Sequence, residues 1–593
     1  MIRVGNCSGY YGDRLSAMRE MLEGGDLDYL TGDYLAELTM LILGRDRMKD
    51  ESLGYAKTFV RQMTDSMALA KERGVAIVTN AGGLNPAALA ARLREISAEQ
   101  GLDIAIAHVE GDDLRARAAE LSFGDVLTAN AYLGAFGIAE ALAGGADVVV
   151  TGRVTDASVV VGPAIAHFGW GRDDLDQLAG AVVAGHVIEC GTQASAGNFS
   201  GFANVDMSIP VGFPIAEISA DGSVVITKHE NTGGAVTVDT VTAQLVYEIQ
   251  SPLYLGPDVS TRLDSLTLTQ EGPDRVAITG AVGEVPPTTT KVCLNAFGGF
   301  RNSVEFLLTG LDIPEKAALV EQQMEAALAA GTRPETVSWH LDRTDVADPA
   351  TQAQATSLLR LHVRSSQPEP VGRGFSDAAI QLALASYPGF SVSRPPTAGT
   401  PYGVYRAAYV SQSEVPHVVV HADGRREDIP PPDLDAPPRS SPPRPPVVEE
   451  RSEAEPRDRR TAPLGDWAAE TVRAPLGRLA YARSGDKGGD ANIGVWIPAD
   501  HPSRDDAYAW LVGFLDEDTV RELLRETATL DLEIHPLPNL FAVNIVVHGL
   551  LGEGVASSTR LDPQAKGVGE WLRARDCAIP SVLLPDAAVE AAL

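Results

Sequence analysis

The sequence predicts an α/β protein. It reads as a large domain with a mostly parallel, helix-covered sheet plus a β-rich portion, followed by a small C-terminal α+β domain of ferredoxin-like pattern. Three observations carry this. Short apolar runs alternate with helical patterns over about the first 200 residues, and Val/Thr-rich alternation takes over from about 210 to 292. A proline- and charge-dense stretch at 430–463 then separates all of this from a compact strand and helix pattern of about 120 residues.

In chain order, IRVGN, DLDYLTG, VAIVTNA, LDIAIAHV and ADVVVTG read as strands, with MTDSMALAKERG, NPAALAARLREISAEQG and FGIAEALAGGA as helices between them. Strands alternating with helices imply right-handed crossovers and a parallel sheet covered on both faces. In GSVVITKHENTGGAVTVDTVTAQLVYEI and SLTLTQEGPDRVAITGAV, alternation predicts antiparallel strands with turns at Asp221-Gly222 and Gly233-Gly234. RNSVEFLLTGLDIPEKAALVEQQMEAALAAG reads as helical, SLLRLHVRSS as a strand and SDAAIQLALASYPG as a helix. The expected division is an α/β domain over 1–424 (β-rich portion at about 210–292), a proline-rich linker over 425–465 and the small domain over 466–593.

Composition narrows the function. At 593 residues the chain exceeds one hydrophobic core, and a formal charge of -32, from 80 acidic against 48 basic residues, argues against nucleic acid as a partner. Four scattered cysteines without CxxC spacing favour a reducing compartment, and no apolar run is long enough for a membrane span, so the cytoplasm is expected.

In open parallel sheets ligands bind beyond the carboxyl ends of the strands, so the residues that follow each strand are the candidates. NCSGYYGDR brings Ser8, Tyr11 and Asp13; TGDYLAELT brings Asp33; TNAGGLNP brings Asn80, Gly82 and Gly83; TGRVTDAS brings Arg153 and Asp156. Three of these loops combine small residues, glycines and carboxamide or charged groups, which lets backbone N–H groups approach an anionic or carbonyl-bearing ligand. Any strand-to-helix turn needs similar residues, and Asp156 would also serve as a helix cap.

AGHVIECGTQASAGNFSGF adds His186, Glu189, Cys190 and Asn198. On a helix His186 shares a face with Glu189 and Cys190, which offers an acid/base pair, an activated thiol, or simply a packed helix end. TKHENTGG and SPLYLGPDV read as a hairpin tip unless they fold over the sheet's carboxyl edge. His108, Glu110, Asp112 and Asp113 crowd together without HExxH or EF-hand spacing, so no metal is expected. ARSGDKGGDANIG, with Arg483, Asp486, Lys487, Asp490 and Asn492, is a solvated loop unless it packs on the large domain and closes a pocket. Neither GxGxxG nor a P-loop occurs, which disfavours a nicotinamide oxidoreductase or a kinase.

Together GNCSGYYGDR, LDYLTGDYLAELTM, TNAGGLNP, VTGRVTDAS, ECGTQASAGNF, SPLYLGPDV and LASYPGF, in this order, resemble the acyclic terpene utilisation protein AtuA family, and ARSGDKGGDANIGV resembles its small ferredoxin-fold domain. The resemblance implies bacterial degradation of citronellol- and geraniol-type terpenes through coenzyme A thioesters of branched acids. It brings no catalytic residues with it.

The expectation is therefore a lyase acting on an acyl-CoA or carboxylate by hydration, dehydration or retro-aldol cleavage, with coenzyme A as part of the substrate and no separate cofactor. Asp156 or Asp33 is the expected base and His186 or Glu189 the acid. Arg153 is expected on the phosphate or carboxylate, and Asn80 and Asn198 orient the substrate. Ser8, Tyr11, Asp13, Gly82, Gly83 and Cys190 complete the binding set. The alternatives are a non-catalytic acyl-CoA-binding or scaffold subunit, or a sheet that binds a nucleotide or sugar phosphate; a homo-oligomer is left open. One geometric condition follows: Arg153 and Asp156 must share a cleft with Asp33, Asn80 and the Cys190 loop.

Overall fold

The structure, a computed structural model, describes residues 1–432 and 470–584. The described residues form two compact units, one drawn from 1–295, 405–555 and the residues from 562 on, the other from 296–404 with 556–561.

The first unit opens with β1 (Ile2–Asn6), α1 (Ala17–Gly24), β2 (Tyr29–Gly32), α2 (Glu37–Lys49), α3 (Lys57–Arg73), β3 (Ala76–Thr79), α4 (Pro86–Glu99) and β4 (Ile106–Glu110). β5 (Thr128–Ala131), α5 (Phe136–Ala143), β6 (Val148–Thr151), α6 (Ser158–Phe168) and α7 (Leu175–Ile188) follow. β1, β2, β3, β6 and β4 lie side by side in that order, all parallel. Every residue of β6 is buried, as befits a strand covered on both faces. α4 starts with Pro86 in its first turn and the Asn85 side chain accepting from the Ala88 N–H. Every residue of α7 from Leu178 to Ile188 is buried, which makes it a core helix and carries His186 into the interior.

The Val/Thr-rich stretch holds β7 (Pro214–Ile218), β8 (Val224–Lys228), α8 (Val238–Leu245), β9 (Leu253–Leu255), β10 (Ser260–Arg262), β11 (Thr267–Gly272), β12 (Arg275–Thr279) and β13 (Val282–Glu284). β7 pairs antiparallel with β1, and β8, β12 and β11 continue the same sheet outward. The turn at Asp221-Gly222 forms, with Gly222 left-handed at φ 84°. No hairpin forms at Gly233-Gly234. The stretch after it is α8, because Thr237 and Thr240 bond each other's backbone N–H in a capping box, and this outweighs the β preference of the valines and threonines.

β14 (Thr289–Thr309) is longer than expected, since RNSVEFLLT, which reads as helical, is its second half. The physical reason is period-two burial of Val304, Phe306 and Leu308. The second unit comprises β14 from Ala296, α9 (Ile313–Ala330), β15 (Thr336–Asp342), β16 (Thr356–Ser365), α10 (Arg373–Gln381) and the start of β17 (Thr400–Ser411). Its antiparallel sheet pairs β16 with both β14 and β15, and α9 and α10 cover it.

Back in the first unit, β18 (Val418–Val420) and β19 (Arg426–Asp428) end the large sheet beside β4. β19 falls inside the expected linker range of 425–465, and the rest of that range from 433 lies outside the described residues. The C-terminal part holds β20 (Thr471–Pro475), β21 (Tyr481–Lys487), β22 (Asp490–Trp496), α11 (Arg504–Phe514), α12 (Glu517–Leu523), β23 (Leu532–Leu537), β24 (Ala542–Val547), α13 (Val568–Arg573) and β25 (Asp576–Pro580). Its antiparallel sheet runs β21-β22-β24-β23 over its own core.

This small domain packs firmly on the large one. Trp496 joins the main core and donates its indole N–H to Asp239 at 3.1 Å, while Asn492 accepts from the Glu248 N–H at 2.7 Å. Arg483 donates to the Asn198 carbonyl at 2.7 Å and lies over the Tyr247 ring. A side chain at Gly494 would collide with Val246, so the two backbones meet there with no room to spare.

Candidate active site

The loops at the carboxyl ends of β2, β3 and β6 converge with the end of α7. Asp33 directly follows β2; its N–H donates to the Ser8 carbonyl (2.9 Å), and its Oδ1 accepts from the Leu35 N–H (2.9 Å) and from Asn80 Nδ2 (2.7 Å). Asn80 directly follows β3, and its Oδ1 accepts from the Tyr34 N–H at 2.8 Å. The loops after β2 and β3 thus hold each other's side chains in place.

Arg153 and Asp156 sit on the turn after β6. Arg153 donates to the Leu35 carbonyl at 2.8 Å, places Nη2 2.9 Å from Asp156 Oδ1 and lies 4.1 Å over the Tyr132 ring. Its backbone N–H is held by Asp112. Glu189 caps α7, with Oε1 3.7 Å from His186 Nδ1. The loops thereby bring one oxygen each of Asp33, Asp156 and Glu189 within 4.8 Å of one another. Arg153, Asp156, Asp33, Asn80 and the Cys190 loop meet in one place.

Burial, reinforced by Asp156, pushes the Asp33 carboxyl well above its usual range, against Arg153 and the Asn80 hydrogen bond. Burial likewise raises Glu189, helped by Asp156 and Glu248 and opposed by Lys487 and Arg153. Burial, with Lys487, takes the His186 imidazole down to about 4, so it is neutral at ordinary pH. Neither ring nitrogen of His186 meets a partner in hydrogen-bonding geometry, and Glu189 Oε2 has none either. Burial, then Glu189 and Glu248, raises the Cys190 thiol well above its usual value, which leaves a thiol rather than a reactive thiolate.

Asp156 lines a cleft of about 400 Å³, the size of a small-molecule site. Tyr132, Glu248, Tyr254, Lys291 and Lys487 line it too. Lys291 pairs with Glu37 at 3.2 Å; burial raises that carboxyl, but Lys291 and Arg153 outweigh it and bring it to about 2. Lys487 and Asp490 come from the small domain's glycine loop, which therefore closes one side of the cleft. Tyr254 lies 4.8 Å from the His186 ring, so SPLYLGPDV folds over the site, whereas Lys228 pairs with Asp274 and His229 meets the Met21 carbonyl. Sequence reasoning missed Glu248, Lys291 and Tyr132, for which no local motif exists.

The other predicted residues do not line this cleft. Ser8 is buried and bonds the Tyr10 carbonyl, Asp13 accepts from the Gly9 and Arg14 N–H groups, and Tyr11 packs against apolar side chains. Gly82 packs against Thr151, and Gly83 is left-handed at φ 54°. Asn198 is exposed and contributes its carbonyl to Arg483. His108 and Glu110 pair at 3.0 Å, while Asp112 is engaged by Arg153 and Asn130. Among the described residues, the groups able to hold an ion are Asp33/Asp156/Glu189 and Glu140/His421/Glu427.

Fold and site together define an α/β protein with a buried carboxylate centre at the carboxyl edge of its parallel strands, capped by a ferredoxin-like domain. Residues 2–421 match the acyclic terpene utilisation family protein AtuA, and 474–577 match the AtuA ferredoxin-like domain; the chain belongs to this family. No curated protein and no solved structure matches it.

Proposed function

We propose that the chain is a catabolic enzyme of acyclic terpene (citronellol- or geraniol-type) or related branched-acid degradation. It acts in the cytoplasm as a lyase on an acyl-CoA or carboxylate substrate, adding or removing water or performing retro-aldol cleavage. The observation that carries this reading is the convergence of Asp33, Asp156 and Glu189 beside a cleft that also holds Lys291 and Lys487. Chemistry next to a carboxyl or thioester carbonyl passes through an enolate-like oxyanion and a proton transfer. Asp156 is the member of the centre that lines the cleft and so the one that meets the substrate; Asp33, His186 and Glu189 stand behind it.

Arg153 takes a different part from the one its sequence suggests. It is 3% exposed and engaged by Asp156, the Leu35 carbonyl and the Tyr132 face, so it holds Asp156 in place, and Lys291 and Lys487 receive the anionic group of the substrate. The test is purified protein with geranyl- and isohexenylglutaconyl-type CoA esters, read by mass spectrometry. A gain or loss of one water, or retro-aldol fragments, is expected. Unchanged esters across the set, together with capture of the pathway's carboxylase or dehydrogenases, would instead identify a scaffold subunit.

A further inference from the structure

Three carboxylates whose oxygens lie within 4.8 Å of one another, two of them on residues only 4% and 6% exposed, are an arrangement that water does not stabilise. Asp33 is the better satisfied, through Asn80 and the Leu35 N–H. Glu189 has an oxygen with no partner at all, and the His186 imidazole beside it, 2% exposed, has two unpartnered nitrogens.

We propose that Asp33, Asp156 and Glu189 bind one hard divalent cation of the Mg²⁺ or Mn²⁺ kind, with the His186 ring completing the polar wall behind Glu189. Oxygen-rich sets of this type suit Mg²⁺ and Mn²⁺, and a neutral imidazole is compatible with either. The three ligands come from three separate elements: the end of β2, the turn after β6 and the end of α7. The site is therefore assembled by the fold, with Arg153 offsetting part of the repulsion around Asp156. This departs from the sequence reading, which expected no metal. The proposal deepens the functional reading by naming what the carboxylate centre holds, and it rests on that reading only for its place in the reaction.

The experiment is a titration of the EDTA-treated full chain with Mn²⁺, following free Mn²⁺ by EPR and the bound fraction by calorimetry, without any substrate. One Mn²⁺ per chain is expected, competed by Mg²⁺, with D33N and E189Q each weakening binding at least about tenfold. H421A, in the Glu140/His421/Glu427 group, should leave it unchanged. Failure of the wild-type chain to bind Mn²⁺ overturns the proposal, and that result does not depend on any variant folding. So does unaltered binding in both D33N and E189Q, or loss of binding in H421A alone. Because no substrate is present, these outcomes are separate from the success or failure of the lyase assay.

Discussion

Gly9→Ala tests how the carboxylate centre is assembled. A Cβ at Gly9 would sit 2.6 Å from the Cys190 carbonyl carbon and 3.0 Å from its Cα. These are backbone atoms, so no rotamer change relieves the clash. Ordinary contact begins at about 3.4 Å, so the Ser8 loop and the Cys190 segment must separate by about 0.8 Å. Glu189 is the residue before Cys190 and Asp33 is bonded to the Ser8 carbonyl, so the separation pulls the two carboxylates apart. Overpacking of this kind costs about 1–3 kcal/mol of stability, and a misplacement near 1 Å at a reacting centre costs about 10²-fold in rate. Urea denaturation reads the first and turnover of the active CoA ester the second. Gly374→Ala is the control, because a Cβ there meets nothing within 4 Å in a helix, and it should be neutral or slightly stabilising. A Gly9→Ala chain with the wild-type midpoint and wild-type turnover would refute the claim that these two segments set the geometry.

Other outcomes follow from the same contacts. Asn80→Ala leaves the buried Tyr34 N–H without its acceptor and removes one of the two hydrogen bonds that Asp33 Oδ1 accepts, and a loss of about 1–3 kcal/mol is expected in chemical denaturation. Arg153→Met removes the partner of Asp156 and the hydrogen bond to the Leu35 carbonyl; a loss of about 1–3 kcal/mol is expected in chemical denaturation, and unchanged stability would contradict the role given to Arg153. Lys487→Met should raise KM for the CoA ester with little change in kcat, since Lys487 lines the cleft without joining the carboxylate centre. Burial, with Glu248 adding and Lys566 opposing, raises Asp486 to about 7. Between its unfolded value near 4 and 7 the folded state then binds more protons than the unfolded one, so stability falls as pH rises through that window. Asp486→Asn should remove that fall, gaining on wild type at pH 7 and matching it at pH 4 in parallel urea titrations.

The five parallel strands were readable because each is an apolar run ending in small or polar residues, a pattern set by local chemistry. The same logic picked out Asp33, Asn80, Arg153 and Asp156, since whatever follows a buried parallel strand must emerge at one edge of the sheet. Elements decided by competition between signals were harder. The capping pair Thr237/Thr240 turned a β-branched run into a helix, and RNSVEFLLT carries both periods until β16 pairs with it. Lys291, Glu248 and Tyr132 reach the cleft from distant parts of the chain, so tertiary packing alone brings them there. The ADVVVTGRVTDAS stretch ends as it does because a buried Arg153 pairs with Asp156 at the wall of the cleft, which composition could suggest only as an anion-binding loop.

The most direct test of the central claim compares wild type with Asp156→Asn on a branched unsaturated acyl-CoA, with product formation followed by mass spectrometry and folding checked by the denaturation midpoint. The account predicts conversion by wild type and a loss of at least about 10²-fold in kcat for the folded variant. An Asp156→Asn chain that turns over at the wild-type rate would contradict it.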